Sequence, residues 1–299
     1  MTIRWDGVLP AITTPFDASG AVDYGFLLRH AQWMLESGCH GIVPLGSLGE
    51  GATLTPEEKR KILAELVQGL PGIPIVPGIS ALSTDEAVTL AQDAERLGCA
   101  GLMVLPPYVY STDWREMGAH MKSVIAATSL PCMVYNNPVA YRTDFAPEQI
   151  AELAEFENVV AVKESSADVR RIHGIRALIG DKLNLLVGVD DIFVEAVRNG
   201  ARGWIAGLVN AFPRESVRLW EIADEPAHRD ECDALYHWFL PLLRLDTVPK
   251  FVQLIKLTQQ AVGMGSERVR APRLELVGAE REVALATIEH ALRTRPEVR

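Results

Sequence analysis

The sequence predicts an α/β protein built as a (β/α)8 TIM barrel with an appended C-terminal helical subdomain. Three observations predict it. Eight short apolar runs recur along the chain, helix-length amphipathic segments separate most of them, and the last part is helical in pattern without a further strand.

The first run lies within residues 7–15, followed by a turn through residues 17–20 and a helix from about Asp23 to Ser37. Three further runs share a Gly-x-x-Gly-apolar form: Gly38-Cys39-His40-Gly41-Ile42-Val43, Gly98-Cys99-Ala100-Gly101-Leu102-Met103 and Gly200-Ala201-Arg202-Gly203-Trp204-Ile205. Each reads as a helix that ends on a C-cap glycine and turns into a strand. Runs at 73–79, 130–135, 159–162 and 183–189 complete the eight. That number of βα units in about 200 residues fits a closed barrel better than an open doubly wound sheet. No Gly-x-Gly-x-x-Gly follows the first strand to mark a dinucleotide site.

From about residue 213 the pattern is almost wholly helical, with amphipathic stretches near 215–223, 229–243 and 248–262. The expected division is a catalytic barrel over residues 1–225 and a helical subdomain over 226–299. No Ser/Gly linker separates them, so the subdomain is expected to pack on the barrel.

The 299 residues, 48% hydrophobic and 23% charged, describe a globular chain of ordinary composition. The net charge of −10 argues against a nucleic-acid surface, which needs clustered cationic excess. It does not forbid a small anionic substrate, because local amides and side chains decide such a site. The four cysteines, Cys39, Cys99, Cys132 and Cys232, form no Cys-x-x-Cys pair and read as buried thiols. With no apolar signal core at the amino terminus and no run of transmembrane length, a cytoplasmic protein without membrane contact is expected.

In a barrel, chemistry gathers where strands run into the following loops. The sixth run, Val159-Val160-Ala161-Val162, ends on Lys163 and Glu164. Burial there disfavours an ammonium and favours a nucleophilic amine; alternatively Lys163 snorkels to solvent or pairs with Glu164. The other lysines, Lys59, Lys61, Lys122, Lys182, Lys250 and Lys256, fall in segments where a solvated ammonium is expected. The fifth run delivers Tyr135 to the same end, as a proton-transfer group or as packing. The second runs into Gly46-Ser47-Leu48-Gly49-Glu50, whose amides suit a carboxylate, or which simply turns the chain into a helix starting at the Thr55-Pro56-Glu57-Glu58 capping box. The fourth ends in Pro106-Pro107-Tyr108-Val109-Tyr110.

Taken together, Gly46-Ser47-Leu48-Gly49-Glu50, Tyr135-Asn136-Asn137-Pro138 and Val162-Lys163-Glu164 resemble the dihydrodipicolinate synthase and N-acetylneuraminate lyase family of class I aldolases. The resemblance covers nearly the whole chain. It implies a Schiff base between Lys163 and the keto carbon of a 2-oxo acid, with Tyr135 as acid/base group, Ser47 in a proton relay, and Tyr108 reaching across a subunit interface. Gly46, Leu48 and Gly49 would bind the substrate carboxylate, with Gly188 and Ile205 also lining the substrate. It further implies a homotetramer, a dimer of dimers, and no cofactor or metal, since the iminium is itself the electron sink.

Two positions depart from the synthases of that family: Leu48 replaces a second hydroxyl residue in the glycine turn, and Ala140 stands where they carry an arginine for a second carboxylate, with Arg142 two residues further on. The stretches 135–143, 163–171 and 188–191 resemble instead a sugar-acid and hydroxyproline branch. Its members eliminate water or ammonia from small hydroxylated 2-oxo or 2-imino acids. The activity implied is deamination of 1-pyrroline-4-hydroxy-2-carboxylate to 2-oxoglutarate semialdehyde. Dehydration of a 2-keto-3-deoxy-pentonate such as L-2-keto-3-deoxy-arabonate, or synthesis of 4-hydroxy-tetrahydrodipicolinate, is the alternative. A metal-dependent aldolase would need histidines at the catalytic strand ends, whereas His40 precedes its strand. A non-catalytic keto-acid sensor is the remaining reading, and it has no need of a nucleophile.

Overall fold

The computed structural model describes residues 3–107 and 113–298. Seven strands form one parallel sheet: β1 (Gly7–Pro10), β2 (Gly78–Ile79), β3 (Leu102–Val104), β4 (Cys132–Asn136), β5 (Val159–Glu164), β6 (Asn184–Val187) and β7 (Gly203–Ala206). Their order, β1-β7-β6-β5-β4-β3-β2, wraps the sheet so that its first and last strands flank residues 42–43.

That segment is the expected second strand, present as single bridges rather than a ladder: Ala11 pairs with Val43, and Ile42 with Ile75. Val43 N donates to Pro10 O at 2.8 Å on one side and Gly78 N to Pro44 O at 2.8 Å on the other. The barrel therefore closes with eight staves. The physical reason for the thin seam is proline. Pro10, Pro44, Pro74 and Pro77 have no N–H to give, which also cuts the run at 73–79 down to two strand residues.

Alternation along the strands sorts side chains into two layers. Leu9, Val43, Val76, Met103, Met133, Tyr135, Ala161, Leu186 and Ile205 point inward, with Ile3 and Trp5 in the same cluster. Val8, Val104, Val134, Val162, Val187 and Trp204 point outward under the helices. Three helix-to-strand transitions and one helix start form as expected. Gly38, Gly98 and Gly200 take φ of 102°, 87° and 100°, and the Thr55 capping box opens the helix Pro56–Gly69. The four cysteines are buried and unpaired.

After β7 come the helices Pro213–Ile222, Arg229–Leu243, Phe251–Ala261 and Gly278–Arg293. The expectation of an almost wholly helical end is corrected over residues 264–277, which form no helix. Gly263 (φ 77°), Gly265 (φ 153°) and Pro272 break the pattern there. This segment folds back on the barrel, where Arg270 pairs with Glu58 at 2.7 Å and donates to Gly20 O. It also covers Lys256, which is 1% exposed rather than solvated as its helix pattern suggested. No helix among the described residues is long and apolar enough to cross a membrane.

One core histidine makes the fold acid-sensitive. His30 is fully buried between Phe26 and Trp33, its Nε2 2.8 Å from Asn210 O, and burial pulls its pKa down from 6.5 to about 4. The unfolded chain takes up this proton below pH 6.5 and the folded chain only near pH 4. Stability is thus whole above pH 6.5 and falls by about 3 kcal/mol as pH drops to 4. Urea melts across that window should show the loss, and His30→Gln should flatten it; an unchanged slope in the variant would place the acid sensitivity elsewhere.

Candidate active site

Lys163 and Tyr135 are opposite residues in neighbouring strands β5 and β4, and both point into the barrel near its C-terminal mouth. Lys163 Nζ stands 4.1 Å from the centroid of the Tyr135 ring. They are 6% and 3% exposed, so the lysine does not snorkel to solvent. Nor does it pair with Glu164, because adjacent strand residues face opposite sides. Glu164 turns outward and accepts from Asn136 Nδ2 at 3.2 Å and Ser166 N at 2.7 Å; burial holds its carboxyl above the usual range.

The same alternation divides the work of Asn136 and Asn137. Asn136, facing outward, accepts from Phe145 N at 2.9 Å and donates to Asp144, itself paired with Arg171 at 2.6 Å. That network fixes both ends of the loop after β4. Asn137 donates to the Tyr135 hydroxyl at 2.8 Å and caps the short helix Pro138–Tyr141 through Ala140 N. Tyr141 is thereby brought edge-on to Tyr135, with ring centroids 5.9 Å apart, and its hydroxyl is hydrogen-bonded to Ser47 Oγ. A line of hydroxyl and aromatic groups thus runs from the glycine turn to the lysine: Ser47, Tyr141, Tyr135, Lys163.

The glycine turn is tightly folded. Leu45 and Glu50 adopt φ of 64° and 53°, Gly51 N donates to Gly46 O, and a Cβ at Gly51 would overlap Leu45 O. A side chain at Gly49 would crowd Ile12 O, and one at Gly78, across the turn, would crowd Gly46 Cα. The Leu48 side chain is buried in the helix-facing core, which leaves its backbone to the turn. On the other wall, Gly188 has no side chain where a Cβ would strike Lys163 Cε and Ser165 Oγ, and Ile205 lines the interior. Tyr108 lies outside the described residues.

Asp190 closes this wall from beneath. It accepts from Trp204 Nε1 at 2.9 Å, Gly207 N at 3.2 Å and Leu208 N at 2.9 Å. Burial nevertheless pushes its carboxyl up to about 6, against the pull of those donors and of the Lys163 charge. Among the described residues no group of three His, Cys, Asp or Glu side chains is placed to hold a metal ion. A buried amine, a phenol, a hydrogen-bonded Ser47–Tyr141 hydroxyl pair and a glycine turn at one barrel mouth make an arrangement suited to imine formation and proton transfer on a carbonyl acid.

Residues 4–291 match the dihydrodipicolinate synthetase family. The chain belongs to that family. Its members are class I aldolase-type lyases, and the chain is an enzyme of that kind. It is 30% identical over 288 residues to a 4-hydroxy-tetrahydrodipicolinate synthase of Pelobacter propionicus, covering 95% of this chain and 97% of the relative. Among solved structures it superposes on dihydrodipicolinate synthase from Aquifex aeolicus with TM-score 0.90, 27% identity, and coverage of 96% and 98% of the two chains. A synthase from Bacillus anthracis gives TM-score 0.92 at 24% identity, with coverage of 99% and 100%, and shows the shared fold. A third, described as a monomeric dihydrodipicolinate synthase variant, gives 0.88 at 25% identity over 97% of this chain and 96% of that one.

Tyr141, Asn137 and Asp190 are site residues to which sequence reasoning gave no role. Tyr141 falls within the 135–143 stretch singled out above, but its use depends on the loop returning to Ser47, a contact spanning 94 residues. Asn137 had a signal, because an Asx residue before proline is a helix N-cap.

Proposed function

We propose that this enzyme forms a Schiff base through Lys163 with a small hydroxylated 2-oxo or 2-imino acid, and that its reaction is deamination of 1-pyrroline-4-hydroxy-2-carboxylate. The observation that carries the reading is the Lys163–Tyr135 pair, an amine and a phenol face to face inside the barrel. Lys163 Nζ adds to C2 of the cyclic imine, and the C2–ring nitrogen bond breaks to give a lysine iminium and a free amine at C5. Tyr135, linked through Tyr141 to Ser47, takes a C3 proton, so the electron pair rests in the enamine; the C4 hydroxyl then leaves with a proton as water. Tautomerisation turns the C5 amine into an imine. Hydrolysis at C5 releases ammonia, and hydrolysis at C2 frees the lysine with 2-oxoglutarate semialdehyde. The sum consumes one water. The same residues serve dehydration of a 2-keto-3-deoxy-pentonate to the same product.

Leu48 and Ala140 support this branch, since neither supplies the hydroxyl or the cation that the synthases of the family use. Synthesis of 4-hydroxy-tetrahydrodipicolinate is the second reading, favoured by the relatives that carry that name. A cytoplasmic homotetramer, with residues 226–299 as a helical subdomain on a barrel of 1–225, completes the proposal; light scattering tests the assembly. For the reaction, purified enzyme is assayed for ammonia release from the hydroxypyrroline carboxylate, beside turnover of 2-keto-3-deoxy-arabonate and of pyruvate with aspartate semialdehyde. Ammonia release at the highest kcat/KM is expected, and turnover of the pyruvate pair alone would overturn the proposal in favour of the synthase.

A further inference from the structure

The C-terminal helices deliver one more side chain to the barrel mouth. Asp246 ends the tight turn Arg244–Asp246 that follows the helix Arg229–Leu243. It lies on Gly207, just past β7, where a Cβ would overlap its carboxyl group. Its Oδ1 is buried and has no hydrogen-bond partner. Ser165, 1% exposed, has an Oγ that is also buried and unpartnered, and it packs with Lys163 Cε against Gly188, where a Cβ would overlap both. Each such atom costs about 1–3 kcal/mol when nothing bonds it, a cost that a polar group of the substrate would relieve.

Strand register locates this gap relative to the reacting amine. Val187 pairs with Trp204, so Gly188 lies beside Ile205, and Gly207 is two residues further along the wall. With about 3.3 Å per residue and about 4.8 Å between strands, Asp246 lies level with the substrate about two or three carbons beyond the one held by Lys163. The groups around it are acidic. Asp190 and Asp191 come from the turn after β6, Lys163 is the inward cation, and Arg244 lies outside against Asp191 at 3.6 Å. Burial raises the Asp246 carboxyl well above the usual range, the charge of Asp190 raises it further, and Lys163 opposes both.

We propose that Asp246 is a specificity-determining residue that receives the far end of the substrate, selecting 2-oxo acids that end in a hydroxyl or an amine over those that end in a second carboxylate. Among the described residues the charges acting on Asp246, Lys163 apart, are those of acids, and Ala140 on the loop after β4 is uncharged. This inference rests on Schiff-base formation at Lys163.

The test is borohydride trapping of the whole enzyme with pyruvate and with three five-carbon acids: 5-hydroxy-2-oxopentanoate, 2-oxopentanoate and 2-oxoglutarate. The wild type should trap the hydroxy acid about tenfold faster than 2-oxoglutarate, and Asp246→Asn should close that gap while leaving pyruvate trapping within about twofold. Asp246→Ser, smaller and neutral, should do the same if the asparagine variant folds poorly. Equal trapping of the two acids by the wild type, or an unchanged gap in a folded variant, overturns the inference alone. Loss of pyruvate trapping in folded variants overturns it too, by placing Asp246 at the lysine rather than at the far end. Absence of any wild-type adduct overturns the Schiff-base reading, and this inference with it.

Discussion

Lys163→Ala should lose turnover by about four orders of magnitude or more and should form no borohydride-stable adduct with pyruvate. The size follows from what the amine does. In the proposed mechanism it is the covalent anchor, so its removal leaves no lysine iminium to stabilise charge at C3, and Tyr135 then faces an uncharged imine or ketone whose C3 proton is far less acidic. Lys163→Arg separates nucleophile from charge, because arginine keeps a cation near the Tyr135 ring and has no free amine to add to a carbonyl. It should be as inert as the alanine variant. Both variants should fold, since among the described residues the lysine makes one ring contact and no direct ion pair, its charge acting on Asp190 and Asp246 only at longer range. Mass spectrometry of the trapped enzyme reads the adduct directly. A full adduct or near-normal turnover in Lys163→Ala would remove the basis of the mechanism.

The barrel was legible because its signals are local. Apolar runs, C-cap glycines at 38, 98 and 200, and the Thr55 box each declare themselves within a few residues. Lys163 and Tyr135 were legible for the same reason, since strand alternation alone aims both inward. What escaped involves contacts between distant segments. Tyr141 has meaning only beside Ser47, Asp246 only against Gly207, and Lys256 only beneath residues 264–277. A helical pattern around Lys256 says nothing about a later segment that folds over it. The missing ladder at residues 42–43 was readable in principle, because four prolines in the flanking runs withhold the donors that a regular ladder needs.

Lys256 leads to the second large effect. Its Nζ donates to Glu50 Oε1 at 2.6 Å and to Arg268 O at 2.8 Å, with the two charged side chains 2% and 0% exposed. It also lies 4.4 Å from the centroid of the Phe16 ring. Burial draws the ammonium below its ordinary range, and the Glu50 charge draws it back. Glu50 is the last residue of the glycine turn, held at φ 53°, and its other oxygen accepts from Arg270 N at 3.0 Å. One ion pair therefore joins the turn, the helix Phe251–Ala261 and the returning segment. Lys256→Met should destabilise the fold by about 3–5 kcal/mol, because the methionine fills the space and leaves the buried Glu50 carboxylate with only the more distant Arg273 guanidinium, at 3.9 Å, as counter-charge. Lys256→Met combined with Glu50→Leu should recover part of that loss, as removing both charges leaves neither unpaired. Activity should respond differently from stability. If the turn holds the substrate carboxylate, the double variant should raise KM for a 2-oxo acid more than it lowers kcat, since the turn loses its anchor while Lys163 and Tyr135 keep theirs. Urea melts give the first comparison and initial-rate kinetics the second. A double variant as unstable as Lys256→Met, or one whose kcat falls while KM holds, would show that the pair does not act by anchoring the turn.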